Sequence, residues 1–294
     1  MVKLEKITPH TVVDITTQRT TRSCILGGIS LGKYSVAVDS GNSLEVGTEL
    51  RKELKTYFNL PVKFLFLTHT HNDHRNGRDA FKDTTLIINQ KCKDNMPKSI
   101  RLSKWNAEIF GEKLILEEGE LSVEFHHVGG HSVGFSIAYF PSEKVLFAGD
   151  LFIVGSVNLG LPFMGFYQNK PKRTGNPEEY LSAFEKFKSM DVDVIVPGHG
   201  DLVFNPKEYL DEQTSFFNDL KSFIISALDE GKNVEEKELP RLEPIAKAYT
   251  TAESSTKRSR SLQFLKNYLN WIKISFYNYY SGKFDQLGGN DSIV

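Results

Sequence analysis

The chain has few of the features that mark secreted, membrane-bound or nucleic-acid-binding proteins. Of its 294 residues only Cys24 and Cys92 are cysteines, and they form no CxxC pair, so we expect reduced thiols in a cytoplasmic protein. The first ten residues contain no apolar core, and no run approaches the length of a membrane span. The sequence therefore predicts neither a signal peptide nor a membrane partner. A net charge of −1 offers no field to attract nucleic acid.

The remaining composition is that of an ordinary globular protein, with 25% charged and 39% hydrophobic residues. Local patterns predict a helix over 44–58, a buried strand over 62–68, and helices over 177–189 and 206–229, both opened by Asn-Pro. Residues 231–260 are charged and loosely patterned, whereas 261–280 return to a helical period. We therefore expect one main domain over residues 1–230 and a C-terminal helical extension over residues 231–294. One face of that extension carries Leu265, Tyr268, Leu269, Ile272 and Phe276.

Four possible metal ligands stand within six residues, directly after the apolar run. His69 and His71 are two residues apart, so an extended loop would point both side chains to the same side. Asp73 and His74 follow where the chain must turn, which allows them to reach a second ion. A single HxH pair is a weak signal, but four ligand types at this spacing favour a metal site.

Three further candidates stand at the ends of later apolar segments, each beside a glycine. They are His131 in GGHS, Asp150 in AGD and His199 in PGHG. Imidazole and carboxylate ligands without a thiolate suit Zn²⁺ and also accept Fe or Mn. Two ions about 3.5–4 Å apart can activate a shared water as hydroxide near neutral pH. Asp73 or Asp150 is then the catalytic carboxylate that orients the hydroxide and passes a proton to the leaving group.

The four motifs HxHxDH, GGHS, AGD and PGHG, in this order, resemble the metallo-β-lactamase-fold superfamily over roughly residues 10–230. The resemblance implies an α/β fold of the four-layer αββα type, with residues 1–230 as the catalytic domain and the C-terminal helices as an appendage. It also implies two divalent metal ions, with zinc the first choice. One ion would be held by His69, His71 and His131, the other by Asp73, His74 and His199, with Asp150 bridging both. Asp39 stands where this family often has a buried aspartate beside the metal loop, where it would either support a ligand or simply form a turn.

The segment after Asp150 is rich in aromatic residues and begins at the proposed metal centre. We expect it to form an apolar wall for a small-molecule substrate, contributed by Phe152, Phe163, Phe166 and Tyr167. A packing or dimer surface is the alternative for this segment. Arg75 is expected to face the pocket mouth. The C-terminal aromatic residues are expected to pack on the catalytic domain or on a second copy in a homodimer.

The leading functional hypothesis is a metal-dependent hydrolase in which a two-metal-activated hydroxide cleaves a small ester, thioester, lactone or related bond. Glyoxalase II-like thioesterases usually show Cys-Gly-His-Glu where this chain has PGHG around His199. Lactonases of this fold usually carry a tyrosine where this chain has Ile153. The alternatives are a persulfide dioxygenase-like oxidoreductase with one iron, and a phosphodiesterase resembling RNA-processing nucleases. Bound metal and O₂ consumption would identify the first, and a basic RNA-gripping surface the second.

Overall fold

The computed structural model describes residues 2–14, 24–96, 105–154, 175–232, 234, 239–240, 242–254 and 258–282. Within these residues, twelve strands form two sheets, and helices pack on the outer faces of both. None of the described helices is long and apolar enough to span a membrane.

The first sheet contains seven strands in chain order. They are β1 (Leu4–Thr8), β2 (Thr11–Asp14), β3 (Gly27–Ser30), β4 (Ser35–Val38), β5 (Val62–Phe66), β6 (Thr85–Asn89) and β7 (Ala107–Phe110). Strands β1 to β4 pair antiparallel, whereas β4 to β7 pair parallel. The carboxyl ends of β4 and β5 therefore meet at one edge of the sheet, where loops commonly carry functional residues.

The second sheet has five strands in the order β12-β11-β10-β9-β8. They are β8 (Lys113–Glu118), β9 (Leu121–His127), β10 (Ser136–Phe140), β11 (Val145–Val154) and β12 (Val194–Gly200). The pairs are antiparallel except for the parallel pair of β11 and β12. The pairing of β11 with β12 shifts register on either side of Gly149, beside Asp150. Such an irregularity re-aims side chains at the end of a ladder.

Three hydrophobic clusters define four layers. The middle cluster joins the inner faces of the two sheets, for example through Phe66 and Phe125, whose ring centroids lie 4.6 Å apart. A second cluster joins the outer face of the first sheet to α1 (Leu44–Phe58). The third joins the outer face of the second sheet to α4 (Pro177–Ser189) and α5 (Pro206–Asp229). The structure thus confirms the αββα arrangement expected from the sequence.

The predicted boundaries of three helices are confirmed. Helix α1 begins after Ser43, whose side chain accepts from the Val46 amide, and ends at Asn59 in the left-handed region. Helix α4 begins after Asn176, whose side chain accepts from the amides of Glu178 and Glu179. The cap at Asn176 is local, which is why the sequence alone predicts it. Two short helices, α2 (Asn72–Arg75) and α3 (Gln90–Asp94), follow β5 and β6.

The C-terminal region contains α6 (Glu243–Ser254) and α7 (Arg258–Tyr280). The predicted apolar face of α7 is buried in the third cluster, and the Phe276 ring lies 5.3 Å from that of Phe217 on α5. Residues 231–260 are loosely patterned in sequence, and α6 lies within them, with the small residues Ala248 and Ala252 among its buried positions. The structure shows this helical region sharing a cluster with α4 and α5, and the division at residue 230 stays a prediction.

Candidate metal centre

One group of four ligand atoms lies where the loop after β5 meets the second sheet. His69 and His71 come from that loop, His131 from the loop between β9 and β10, and Asp150 from β11. The Nε2 atoms of His69 and His131 lie 3.7 and 3.5 Å from Asp150 Oδ2. Nδ1 of His71 lies 3.1 Å from Nε2 of His131. All four ligand atoms lie within 4.8 Å of one another, so they could surround a single cation.

A second group lies on the other side of Asp150. It consists of Asp73, His74 and His199, the last of which lies near the end of β12. Nε2 of His199 lies 3.3 Å from Asp73 Oδ2, and Nε2 of His74 lies 3.7 Å from the same oxygen. Both nitrogens also approach Asp150 Oδ1, at 3.4 and 3.0 Å.

Asp150 therefore presents a different carboxylate oxygen to each group. Oδ2 faces His69 and His131, whereas Oδ1 faces His74 and His199. Gly198 makes this position possible, because a Cβ there would lie 1.9 Å from Asp150 Oδ1. The structure thus brings together all seven residues that the motifs single out, with one carboxylate between two sets.

The hydrogen bonds behind the histidines decide which ring nitrogen faces the centre. Asp39 Oδ2 lies 2.7 Å from Nδ1 of His74, and a carboxylate can only accept, so this Nδ1 carries a proton. Thr68 Oγ1 lies 2.9 Å from the same Asp39 oxygen and therefore donates to it. The hydroxyl then accepts from Nδ1 of His69, 2.9 Å away. In both His69 and His74, Nε2 is therefore the ring nitrogen that faces the candidate metal centre.

A cation fits what this arrangement leaves unsatisfied. Among the described residues, Nε2 of His69, Nε2 of His74 and Oδ1 of Asp150 are buried and form no hydrogen bond, although the last two atoms lie 3.0 Å apart. Buried polar atoms normally have hydrogen-bond partners. Three such atoms directed at one place are therefore well suited to bind a cation. The donor set of imidazoles and carboxylates suits a borderline divalent cation.

Burial keeps the first group of imidazoles neutral. It lowers the pKa of His69 well below the usual value, and the nearby His74 and His71 rings lower it further. Burial, together with His131, lowers the pKa of His71 to about 3. Neutral imidazoles are the form that binds metals, so these residues bind without first losing a proton.

Carboxylates dominate the second group. Burial by itself would lower the pKa of His74, but Asp150 and Asp39 raise it well above the usual value. Burial is likewise outweighed at His199, where Asp150 and Asp73 raise the pKa to about 9. Although burial opposes ionisation of Asp150, His74 and His199 hold the pKa of this carboxyl well below its usual range.

Two further side chains, those of Arg75 and Cys24, form hydrogen bonds with the HxHxDH loop. Arg75 is buried, so the expectation that it faces the pocket mouth was wrong. Its Nε donates to the Thr70 carbonyl and one terminal nitrogen donates to Asn72 Oδ1 at 2.5 Å. The Cys24 thiol donates to the Asp73 carbonyl at 3.2 Å, and burial raises its pKa to about 12. Both residues act on the backbone of the HxHxDH loop.

The predicted substrate wall needs one correction. Phe152 is fully buried, stacks on Phe184 with centroids 5.5 Å apart, and contacts Phe187 and Tyr209. It is a core residue between β11 and the outer helices, because successive side chains of a strand point to opposite faces. Phe163, Phe166 and Tyr167 lie outside the described residues.

Sequence reasoning missed Thr68 as a functional residue, although it directly precedes the first histidine. It also left the role of Asp39 undecided between support of the site and an ordinary turn. Asp39 has φ 57°, in the left-handed region that aspartate tolerates. This turn places its carboxylate against both Thr68 and His74. No local sequence signal reports a contact between residues about 30 positions apart.

Histidines and aspartates from loops and strand ends of both sheets thus form one cluster that could hold metal ions. The profile of the metallo-beta-lactamase superfamily matches residues 29–199, more than half of the chain. The chain therefore belongs to the metallo-beta-lactamase superfamily.

Relatives agree with this assignment. The hydroxyacylglutathione hydrolase of Pelagibacter ubique is 29% identical over 112 residues, which cover 37% of this chain and 43% of that protein. The enzyme of the same name from Bartonella henselae is 26% identical over 171 residues, covering 56% of this chain and 58% of that protein. The chain thus spans about half the length of these relatives.

Solved structures support the fold. The metallo-beta-lactamase from Pontibacter korlensis superposes with a TM-score of 0.56 at 19% identity, covering 74% of this chain and 99% of that protein. At this identity the likeness concerns the fold alone. Family membership and the His/Asp cluster together indicate a site for divalent metal.

Proposed function

We propose that this chain is a two-metal hydrolase of a small acyl compound, with a thioester or ester as the first substrate class to test. The observation that carries the proposal is the position of Asp150, whose two oxygens face two separate sets of ligand atoms. His69, His71 and His131 would hold one ion. Asp73, His74 and His199 would hold the other. Zinc is the first metal to test because the ligands are imidazoles and carboxylates.

When bound, two such ions lower the pKa of a shared water and polarise the bond to be cleaved. The residues of the chain hold the metal ligands in position and transfer one proton to the leaving group. Asp39 and Thr68 set the ring orientation of His74 and His69. Asp73 is the carboxylate that a substrate can reach, because 30% of its side chain is exposed against 6% for Asp150. We therefore assign to Asp73 the transfer of a proton to the leaving group.

The substrate class rests on three observations, one that favours a thioester and two that restrict the choice. The relatives from Pelagibacter ubique and Bartonella henselae are named hydroxyacylglutathione hydrolases, which favours a thioester. Against a glutathione thioester, this chain has PGHG where such enzymes usually show Cys-Gly-His-Glu. Ile153 in place of a tyrosine likewise disfavours a lactone. A thioester or open-chain ester whose leaving group is not glutathione agrees with all of these observations.

The test joins metal analysis to a substrate panel. We expect about two metal ions per chain by elemental mass spectrometry, and hydrolysis within a panel of thioesters, esters, lactones, β-lactams and phosphodiesters. Asp73→Asn should lower kcat by about 10²–10⁴-fold, the usual contribution of a positioned acid or base. Asp83→Asn is the matched control, since Asp83 is an exposed partner of Arg51 on the first sheet's outer side.

A single outcome would replace the proposal by the iron-dependent alternative. That outcome is one iron per chain together with O₂ consumption on a persulfide and no hydrolysis of the panel. A chain that takes up no divalent metal from solution would contradict both. Cleavage of the phosphodiester and of no other substrate in the panel would favour the alternative of a phosphodiesterase that resembles RNA-processing nucleases.

A further inference from the structure

The loop between β9 and β10 carries His131 directly after two glycines. Gly129 and Gly130 have φ values of 68° and 87°, a region that other residues rarely adopt. Within the loop, the amides of Val128 and Gly129 donate to the Phe135 carbonyl at 3.0 and 3.1 Å, and the His131 amide donates to the Gly129 carbonyl at 3.2 Å. These bonds join the loop to itself, and glycine is the least restricted residue, so the orientation of the loop relative to its neighbours depends on contacts from outside it.

The first turn of α4 supplies that restraint on both sides of Gly130. The Gly130 amide donates to Glu179 Oε2 at 2.8 Å, and the Asn176 amide donates to the Gly130 carbonyl at 2.7 Å. Asn176 is itself fixed, because its side chain caps α4. A Cβ at position 129 would lie 2.2 Å from Glu179 Oε2, so the carboxylate fills the space that glycine leaves.

Small movements of this loop would matter at the centre. Nε2 of His131 lies 3.1 Å from Nδ1 of His71 and 3.5 Å from Asp150 Oδ2. Metal–ligand distances tolerate deviations of only about 0.2 Å. A hydrogen bond from a backbone amide to a carboxylate is stronger than one between neutral groups. The Glu179 contact is therefore a strong restraint on Gly130, the residue that precedes His131.

We propose that Glu179 is a positioning residue that fixes His131 for the first metal-binding group. The proposal rests on the function proposed above and adds to it a residue 48 positions away from the histidine. Glu179 is not one of the seven candidate ligands, and its hydrogen bond to the Gly130 amide is the contact through which it would act on His131.

The chain contains a matched control beside it. Glu178 occupies the same first turn of α4 and has the same favourable charge at a helix N-terminus. Its carboxylate instead accepts from the Tyr280 hydroxyl at 2.5 Å and pairs with Lys221 at 2.7 Å. Loss of either glutamate removes one charge from the helix start, but only loss of Glu179 releases the glycine loop.

The experiment compares Glu179→Ala, Glu179→Gln, Glu178→Ala and the unaltered chain. Metal-stripped protein is titrated with Zn²⁺ against a competing chelator, so that two binding steps are resolved. Glu179→Ala should weaken one step by about tenfold, the lower end of the effect of lost supporting contacts at metal sites. The other step should stay unchanged. Glu179→Gln keeps an oxygen acceptor and should recover most of the affinity, while Glu178→Ala should match the unaltered chain.

A second readout uses the metal-free protein. Hydrogen–deuterium exchange over residues 128–135 should be faster in Glu179→Ala than in Glu178→Ala, because only the first variant frees the Gly130 amide. Unaltered zinc affinity and exchange in Glu179→Ala would overturn the inference, as would equal losses in both alanine variants. If the unaltered chain binds no zinc, the proposed function fails, while the exchange measurement still decides whether Glu179 restrains the loop.

Discussion

The two halves of the candidate metal centre differ in their electrostatics. The first half sets three imidazoles, those of His69, His71 and His131, against a single carboxylate oxygen of Asp150. Burial and mutual repulsion keep the pKa values of His69 and His71 low. The second half surrounds His74 and His199 with carboxylates, and their pKa values rise.

Because of this difference, the two halves depend on different physical properties. The first half offers neutral nitrogens at once and depends on geometry, because three rings from two loops must converge. The second half is held together by charge even before metal binds, and a metal there must displace protons. We therefore expect the first half to be sensitive to changes that move the loops. The second half should be sensitive to changes in charge and in pH.

The largest effect is expected at Asp150, the candidate ligand that faces both halves of the centre. Asp150→Ala removes one oxygen from each half and should lower kcat/KM by more than about 100-fold, the upper range for loss of a merely supporting contact. Metal content should fall below two ions per chain. His131→Ala should lose one ion only, which elemental analysis distinguishes. Wild-type turnover in Asp150→Ala would contradict the shared role.

A smaller effect should appear when the support of the second half is weakened. Asp39→Asn keeps a residue that tolerates the φ of 57° but removes the charge facing Nδ1 of His74. We expect one zinc-binding step to weaken by about 10–100-fold. Chelator competition measures it. Equal weakening of both steps would show that Asp39 supports the whole loop rather than one half.

The first half has its own support in the Thr68 hydroxyl, which accepts from His69 and donates to Asp39. Thr68→Val removes the hydroxyl at constant shape and should weaken the zinc step that involves His69 by about tenfold. Thr68→Ser retains the hydroxyl and serves as the control. If the serine and valine variants bind zinc alike, this hydrogen bond does not orient the ring.

The smallest effect is a pH dependence of the metal-free protein. The pKa of His199 rises from about 6.5 to about 9 on folding. A raised pKa contributes stability that is fully present below about pH 6.5 and is lost as the pH rises through 9. The free energy of unfolding by urea should therefore fall over this interval in the metal-free chain, and His199→Gln should flatten the curve. A rise in stability with pH would show that other groups control this range.

Local signals carry much of the fold. The cap at Asn176 and the apolar period of α7 suffice to predict these helices, because caps and periodicity act between residues that are neighbours in sequence. Strand β1 and helix α6 were not predicted. The first is a short edge strand with few buried residues, and the second packs through alanines, which give a weak apolar signal.

The sequence by itself determined the types and order of the seven candidate ligands, since their spacing and glycine neighbours are written along the chain. Only the tertiary structure decided which oxygen of Asp150 faces which group, and that Phe152 points into the core. It also decided that Asp39 supports His74 and that Glu179 contacts Gly130. These pairs are separated by 35 and 49 positions, and contacts at such distances depend on how sheets and helices pack rather than on any local pattern.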